Sequence, residues 1–165
     1  MKKVAYLGLF TSFALILSYI EYLFPIPVPF PGFKLGLANF AILMTLYLYG
    51  VREACLVNLC RILLSALLFG SVYSFAYAFC GAFLSLLAES LLYKKKFIGV
   101  IGVSVIGGVS HNIGQLCFAL LITQTSAVAL YSPILIALGC LTGLFVGILV
   151  GLLKKRFRRL VETER

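Results

Sequence analysis

The chain has 165 residues, 62% of them apolar, with a formal net charge of +9, one histidine, five cysteines and no aspartate. Its mean hydropathy of +1.12 and its uncharged runs, which reach the roughly 18 residues a bilayer span needs, exclude a soluble globular domain. The runs are also too long and too continuously apolar for the alternating strands of a membrane barrel, so the class is a polytopic α-helical membrane protein with one transmembrane domain.

Six apolar spans follow in chain order: about Val4 to Phe24, Leu35 to Gly50, Ala54 to Gly70, Val72 to Tyr93, Phe97 to Thr123 and Ala127 to Leu153. The first ends in Glu21 and prolines and has no small-residue cleavage pattern, so it is expected to remain as an anchor rather than a removed signal. Its cytoplasmic half carries Ala5, Gly8 and Ser12, whose spacing of three and four keeps them on one helix face.

Between the first two spans lies EYLFPIPVPFPGFKLGLAN, Glu21 to Asn39, with Pro25, Pro27, Pro29 and Pro31 on alternate residues. Each proline fixes its own φ and biases the preceding residue to extended backbone, which predicts a stiff, open loop. Flanked by Glu21, Lys34 and Asn39, it reads as a lid in which Phe30 and Phe33 close the top. The plainer alternative is a connector that stops one helix and starts the next.

The second and third spans are short, which leaves open that they are tilted or broken, and the third carries Arg61 near its middle with Asn58 on the same face. The fourth ends close to Lys94 to Lys96, so Glu89 is expected to snorkel or pair at the inner interface. The fifth contains SHNIGQ, with His111 and Asn112 near mid-membrane and Gln115 one turn further out. The sixth carries Gly139, Gly143, Gly147 and Gly151, a smooth ridge suited either to a partner protein or to a neighbouring span. A basic tail, 154–165, follows.

Twelve of the fourteen Lys and Arg residues fall on one side of a six-span arrangement. The positive-inside rule then makes both termini cytoplasmic and the proline loop external. The charge therefore reports topology and not nucleic-acid binding. Lys34 and Arg61 are the two exceptions, and both fall with Glu21, Asn39, His111, Asn112 and Gln115 in or near the outer half. An arginine at membrane depth costs about 2.5–3.5 kcal/mol on insertion scales and usually faces the bundle interior, a partner or a substrate path. Its structural alternative is a pair with Glu21 or with helix carbonyls.

Other chemistry is missing. Mg²⁺-bound diphosphate needs clusters of carboxylate oxygens, and the chain has no aspartate. There is no phosphate-binding Gly-rich loop for ATP, no Cys/His spacing for a metal, and Ser110 beside His111 is not a nucleophile–base pair because neighbours on a helix diverge. The cysteines, with no Cys-x-x-Cys spacing, read as small packing residues. The expectation is a non-enzyme with no cofactor.

SYIEYLFPIP at Ser18 to Pro27, PGFKLGLAN at Pro31 to Asn39 and GGVSHNIGQL at Gly107 to Leu116 resemble the bacterial heptaprenyl diphosphate synthase component I proteins, also called the Gx transporter family. That label implies prenyl chain synthesis, from which the aspartate-free composition departs. In size, six-helix count and external first loop the chain also resembles the S components of energy-coupling factor transporters. This second resemblance implies a six-helix bundle in the bacterial cytoplasmic membrane, working with a transmembrane coupling subunit and ATPase subunits. It makes Pro25 to Phe33 the lid and Ala5, Gly8 and Ser12 the face that meets the coupling subunit.

The function expected is capture of a small, partly apolar, anionic compound for ATP-driven uptake. Arg61 and Lys34 would attract the anion, Asn39, His111, Asn112 and Gln115 would orient it, and Glu21 would pair with a cation or hold Lys34 or Arg61. The alternative is a non-catalytic membrane partner of a prenyl diphosphate, quinone or electron-transfer system, acting through Lys94 to Lys96 or the tail. A self-sufficient secondary transporter would need ion coupling through Glu21 or His111.

Overall fold

The computed structural model describes residues 2–24 and 36–163, and the regular structure among them is helical throughout. The order is α1 (Lys2–Leu23), α2 (Asn39–Leu48), α3 (Val51–Leu68), α4 (Val72–Leu92), α5 (Val100–Thr123), a 3-10 helix (Ser126–Tyr131) and α6 (Ser132–Thr163). The proposed lid residues Pro25, Pro27, Pro29, Phe30, Pro31 and Phe33, together with Lys34, lie outside the described residues.

Among the described residues four helical segments are long and apolar enough to cross a membrane: Lys3–Leu23, Val72–Leu92, Val100–Thr123 and Ser126–Arg159. α3 has 18 residues but includes Arg52, Glu53 and Arg61. α2 takes the broken form that the short second span left open. The apolar run from Leu35 to Gly50 forms only ten helical residues, a rise of about 15 Å against a hydrocarbon core of about 30 Å. Gly36, at φ +88°, breaks the run ahead of the helix.

Local chemistry sets the other boundaries. Gly50, at φ 105° and ψ −175°, occupies backbone space that is essentially glycine's, and it turns α2 into α3 within two residues. Ser71 caps α4 by accepting a 3.1 Å hydrogen bond from the Ser74 amide. Gln124, in the left-handed region at φ 50°, ends α5, and Pro133 lies in the first turn of α6, where its missing N–H costs nothing. α6 then continues through the basic residues to Thr163, since Lys and Arg are good helix formers.

α2 is the axis of the bundle. Ala41, Ile42, Leu43, Met44, Thr45 and Leu46 are all buried, and α1, α3, α4 and α6 each pack on it. Around it the outer helices touch in the order α1, α3, α4, α5, α6. α1 and α6 meet through Phe10 and Phe157, with ring centroids 6.0 Å apart. Beside that contact an apolar groove of about 200 Å³ opens between Phe13, Leu17, Phe40 and Phe145.

The tightest seams are built on glycine. A Cβ on Gly139 would come within 2.8 Å of the Gly108 carbonyl oxygen, and one on Gly143 within 2.6 Å of the Ser104 carbonyl oxygen and Val105 Cα. The ridge on α6 therefore packs internally against α5 through these two glycines and Gly147, while Gly151 faces open space. Gly114 plays the same part between α5 and α4, 2.5 Å from the Cys80 carbonyl by the same measure. In lipid, where burying apolar side chains gains little, such close backbone approach is a main source of helix association.

Candidate functional site

Among the described residues twelve polar or charged side chains are buried, and most of them fall into three groups. The first joins α1 and α3. Ser18 and Glu21 are three residues apart on one face of α1, and Asn58 and Arg61 hold the same spacing on α3. Arg61, only 3% exposed, donates through Nε to Asn58 Oδ1 at 3.1 Å and through Nη1 to Ser18 Oγ at 3.5 Å. Glu21 lies within electrostatic range of the guanidinium. Its Oε1 accepts a 2.8 Å hydrogen bond from the Leu37 amide, which ties the chain entering α2 back to α1. The bond to the Leu37 amide is a contact that was not among the roles expected for Glu21.

The second group surrounds His111 on α5. Gln115 Nε2 lies 3.0 Å from His111 Nε2. The two side chains are thus within hydrogen-bond distance one turn apart on α5, and the His111 tautomer sets which of them donates. Gly36 lies over the ring, where a Cβ would meet His111 Cδ2 at 3.5 Å. Asn112 does not share this patch. It turns to α6 and donates to the Leu135 carbonyl at 2.7 Å, leaving its Oδ1 without a hydrogen bond. Residues 111 and 115 are one turn apart, whereas 112 is rotated by about 100°.

A cavity of about 10 Å³ lies among Gly36, Asn39, Ser104, Gly108, His111 and Thr142, room for about one water. Ser104 Oγ is buried there without a hydrogen-bond partner. Neither Ser104 nor Thr142 was expected from the sequence. Single hydroxyls in helices bond their own preceding carbonyl so often, as Thr142 does to Leu138 at 2.9 Å, that they carry little signal alone.

The third group corrects one expectation. Glu89 does not reach the interface beside Lys94 to Lys96; it is fully buried. Its Oε1 accepts a hydrogen bond from Asn39 Nδ2. Asn39, expected with the outer-half residues, thus stands at the start of α2 and is committed to α4. The reason is the shortness of α2. Ten residues place its first turn deep in the bundle, where Gly107 on α5 leaves space for the carboxyl group: any Cβ at 107 would collide with Glu89 Oε1.

Ala5, Gly8 and Ser12 are all exposed on α1, and nothing approaches within 4 Å of a Cβ built on Gly8. Among the described residues no group of three or more His, Cys, Asp or Glu side chains is placed to hold a metal.

No curated protein and no solved structure matches the chain. The family model described as heptaprenyl diphosphate synthase component I matches residues 10–153, covering all or part of every helix. The protein, a membrane-embedded helical bundle with a buried polar interior, belongs to the heptaprenyl diphosphate synthase component I family.

Proposed function

We propose that the chain is a substrate-capture subunit of the bacterial cytoplasmic membrane, similar in role to an S component. Its termini would be cytoplasmic and its proline loop external, and its cargo a small, partly apolar, anionic compound such as a vitamin-like molecule or a quinone or isoprenoid precursor. The observation that carries this reading is a half-length helix starting inside the bundle, with Arg61, Glu21 and His111 gathered where the chain enters it. Interrupted helices of this kind bring helix termini and irregular backbone to a binding site at membrane depth.

In this reading Arg61 supplies the positive charge for the anion, and His111 and Gln115 supply directional hydrogen bonds. In this reading the 10 Å³ cavity beside His111 would have to widen towards the roughly 300 Å³ of a ligand pocket before a compound could enter. Opening would require the segment at Gly36 and Leu37 to withdraw from His111 and Glu21. The hydrogen bond to be broken, from an amide to a carboxylate, is worth about 1.5–3 kcal/mol, a cost that ligand contacts could offset. Transport would need a coupling subunit and ATPase subunits, and the open face of Ala5, Gly8 and Ser12 is where a coupling helix could approach.

Native mass spectrometry of detergent-purified protein tests this reading. A stoichiometric small molecule present in the wild type and lost in Arg61→Ala supports capture, and a compound retained by the variant rejects the role given to Arg61. The family's description, which names a synthase component, favours a second reading: a non-catalytic membrane partner of a prenyl diphosphate, quinone or electron-transfer enzyme. Co-purification of such an enzyme, abolished by substitutions at Lys94 to Lys96 but unaffected by Arg61→Ala, would select it.

A further inference from the structure

The Glu89 carboxyl group has no role in the capture reading, and its surroundings are unusual for a charge. It is fully buried at the junction of α2, α4 and α5, four residues before Tyr93 caps α4. Asn39 occupies Oε1, while Oε2 has no hydrogen bond. Ser85, one turn earlier on α4, is close enough to interact but its hydroxyl is not aligned into a bond. No Lys, Arg or His among the described residues forms an ion pair with Glu89.

The groups set directly against the carboxyl are neutral, and the titratable His111 stands one turn beyond Gly107 on α5, sharing a small cavity with Asn39. α2 contributes Asn39 and, further along, the Tyr47 phenol; α4 contributes Ser85; α5 contributes the bare backbone of Gly107, with Ser104 one turn before it. Lys154 of α6 lies over the outer side of the Tyr47 ring, 4.6 Å from its centroid. Lys94 to Lys96 are exposed beyond the helix end. A bare carboxylate here would be an uncompensated charge in a low-dielectric interior, which strongly favours neutralisation. A metal ion would need several more oxygen ligands, and the glycine wall at 107 leaves the carboxyl group tightly enclosed.

We propose that Glu89 is a proton-binding site of the folded protein. The proton resides on Oε2 and directs an O–H towards the Ser85 hydroxyl, while Oε1 continues to accept from Asn39. On release the O–H bond breaks, the proton passes to water at the nearby end of α4, and the electron pair remains on the carboxylate. The new charge then draws water between α4 and α5 at Gly107 and loosens that seam. Glu89 is thereby a site through which proton concentration acts on the helix that begins at Asn39, whatever compound the bundle binds.

Infrared difference spectroscopy of the full chain in lipid, recorded across a step from neutral to alkaline pH, reads the proton directly. The expected result is a protonated-carboxyl carbonyl band at neutral pH that shifts with ¹³C-glutamate, persists in Glu21→Gln, disappears in Glu89→Gln and bleaches as pH rises. Absence of a glutamate-derived band in folded wild type, or its persistence in Glu89→Gln, overturns the proposal. Should Glu89→Gln fail to fold, ¹³C-labelled Glu21→Gln decides: a buried band that exchanges slowly in D₂O supports the site, and no such band rejects it. None of these outcomes depends on a bound ligand or on Arg61, so the result is separate from that of the capture experiment.

Discussion

Replacing Gly143 by alanine tests whether the α5–α6 seam is the main closure of the bundle. The added Cβ would lie 2.6 Å from both the Ser104 carbonyl oxygen and Val105 Cα, whereas carbon contacts are optimal at about 3.5–4.0 Å. Both obstacles are backbone, so no rotamer change relieves them and the helices must part by about 1 Å. Gly139 and Gly147 on the same ridge, each with a built Cβ within 3 Å of α5 backbone, lose contact at the same time. Overpacking of this kind costs about 1–3 kcal/mol, and the better helix propensity of alanine returns up to about 1 kcal/mol. The net loss is about 1–2 kcal/mol, or roughly 2–8 °C in melting temperature for a chain of this size. Far-UV circular dichroism melts in detergent measure it, with Gly151→Ala as the control because nothing lies within 4 Å of its Cβ. A Gly143→Ala protein that melts as high as Gly151→Ala would refute the packing argument.

Three further outcomes are expected. Gly36→Ala should lower stability by about 1–3 kcal/mol, because φ +88° is strained for alanine although the His111 ring leaves ordinary contact distance; a thermal melt with no loss would contradict the turn. Ser104→Ala should be close to neutral in the same melts, since its hydroxyl forms no hydrogen bond to lose, and a large loss would reveal a partner for that hydroxyl. Glu53 is paired with Lys3 at 2.6 Å, which holds its carboxyl below the ordinary 4.5. The pair's stabilisation is thus present above pH 4.5 and is lost as pH falls through the lowered folded value. With Lys3 55% exposed, the effect is at the low end of about 0.2–1 kcal/mol, removed by high salt and absent in Glu53→Gln.

Class and most helix positions were legible in the sequence because long apolar runs have one physical solution in lipid. The fourth run, expected from Val72 to Tyr93, forms Val72–Leu92, and the fifth ends at Thr123 as expected. The second run leaves its break unplaced for an identifiable reason. Hydropathy reports where residues partition, and Leu35, Leu37 and Ala38 partition into the membrane whether or not they are helical, while the break depends on Gly36 and the Glu21–Leu37 bond. Arg61 was singled out from the cost of burying a charge, Glu21 from its place beside the proline loop and His111 from the polar SHNIGQ patch. Glu89 was misread because the triple lysine nearby in sequence outweighed Asn39, its actual partner fifty residues away. Ser18 became visible only once α1 and α3 were side by side.

The brevity of α2 bears on how the protein is made. A segment of ten helical residues is too short to be recognised as a membrane-crossing stop during synthesis, when insertion requires roughly 20 apolar residues. Its polar backbone ahead of Asn39 can be satisfied only by protein, because lipid offers no hydrogen bonds. Several of its contacts come from α6, which begins more than eighty residues later. The centre of the bundle is therefore among the last parts to reach its final surroundings. Nascent chains that stop before α6 would hold that segment only provisionally, without the contacts that α6 supplies.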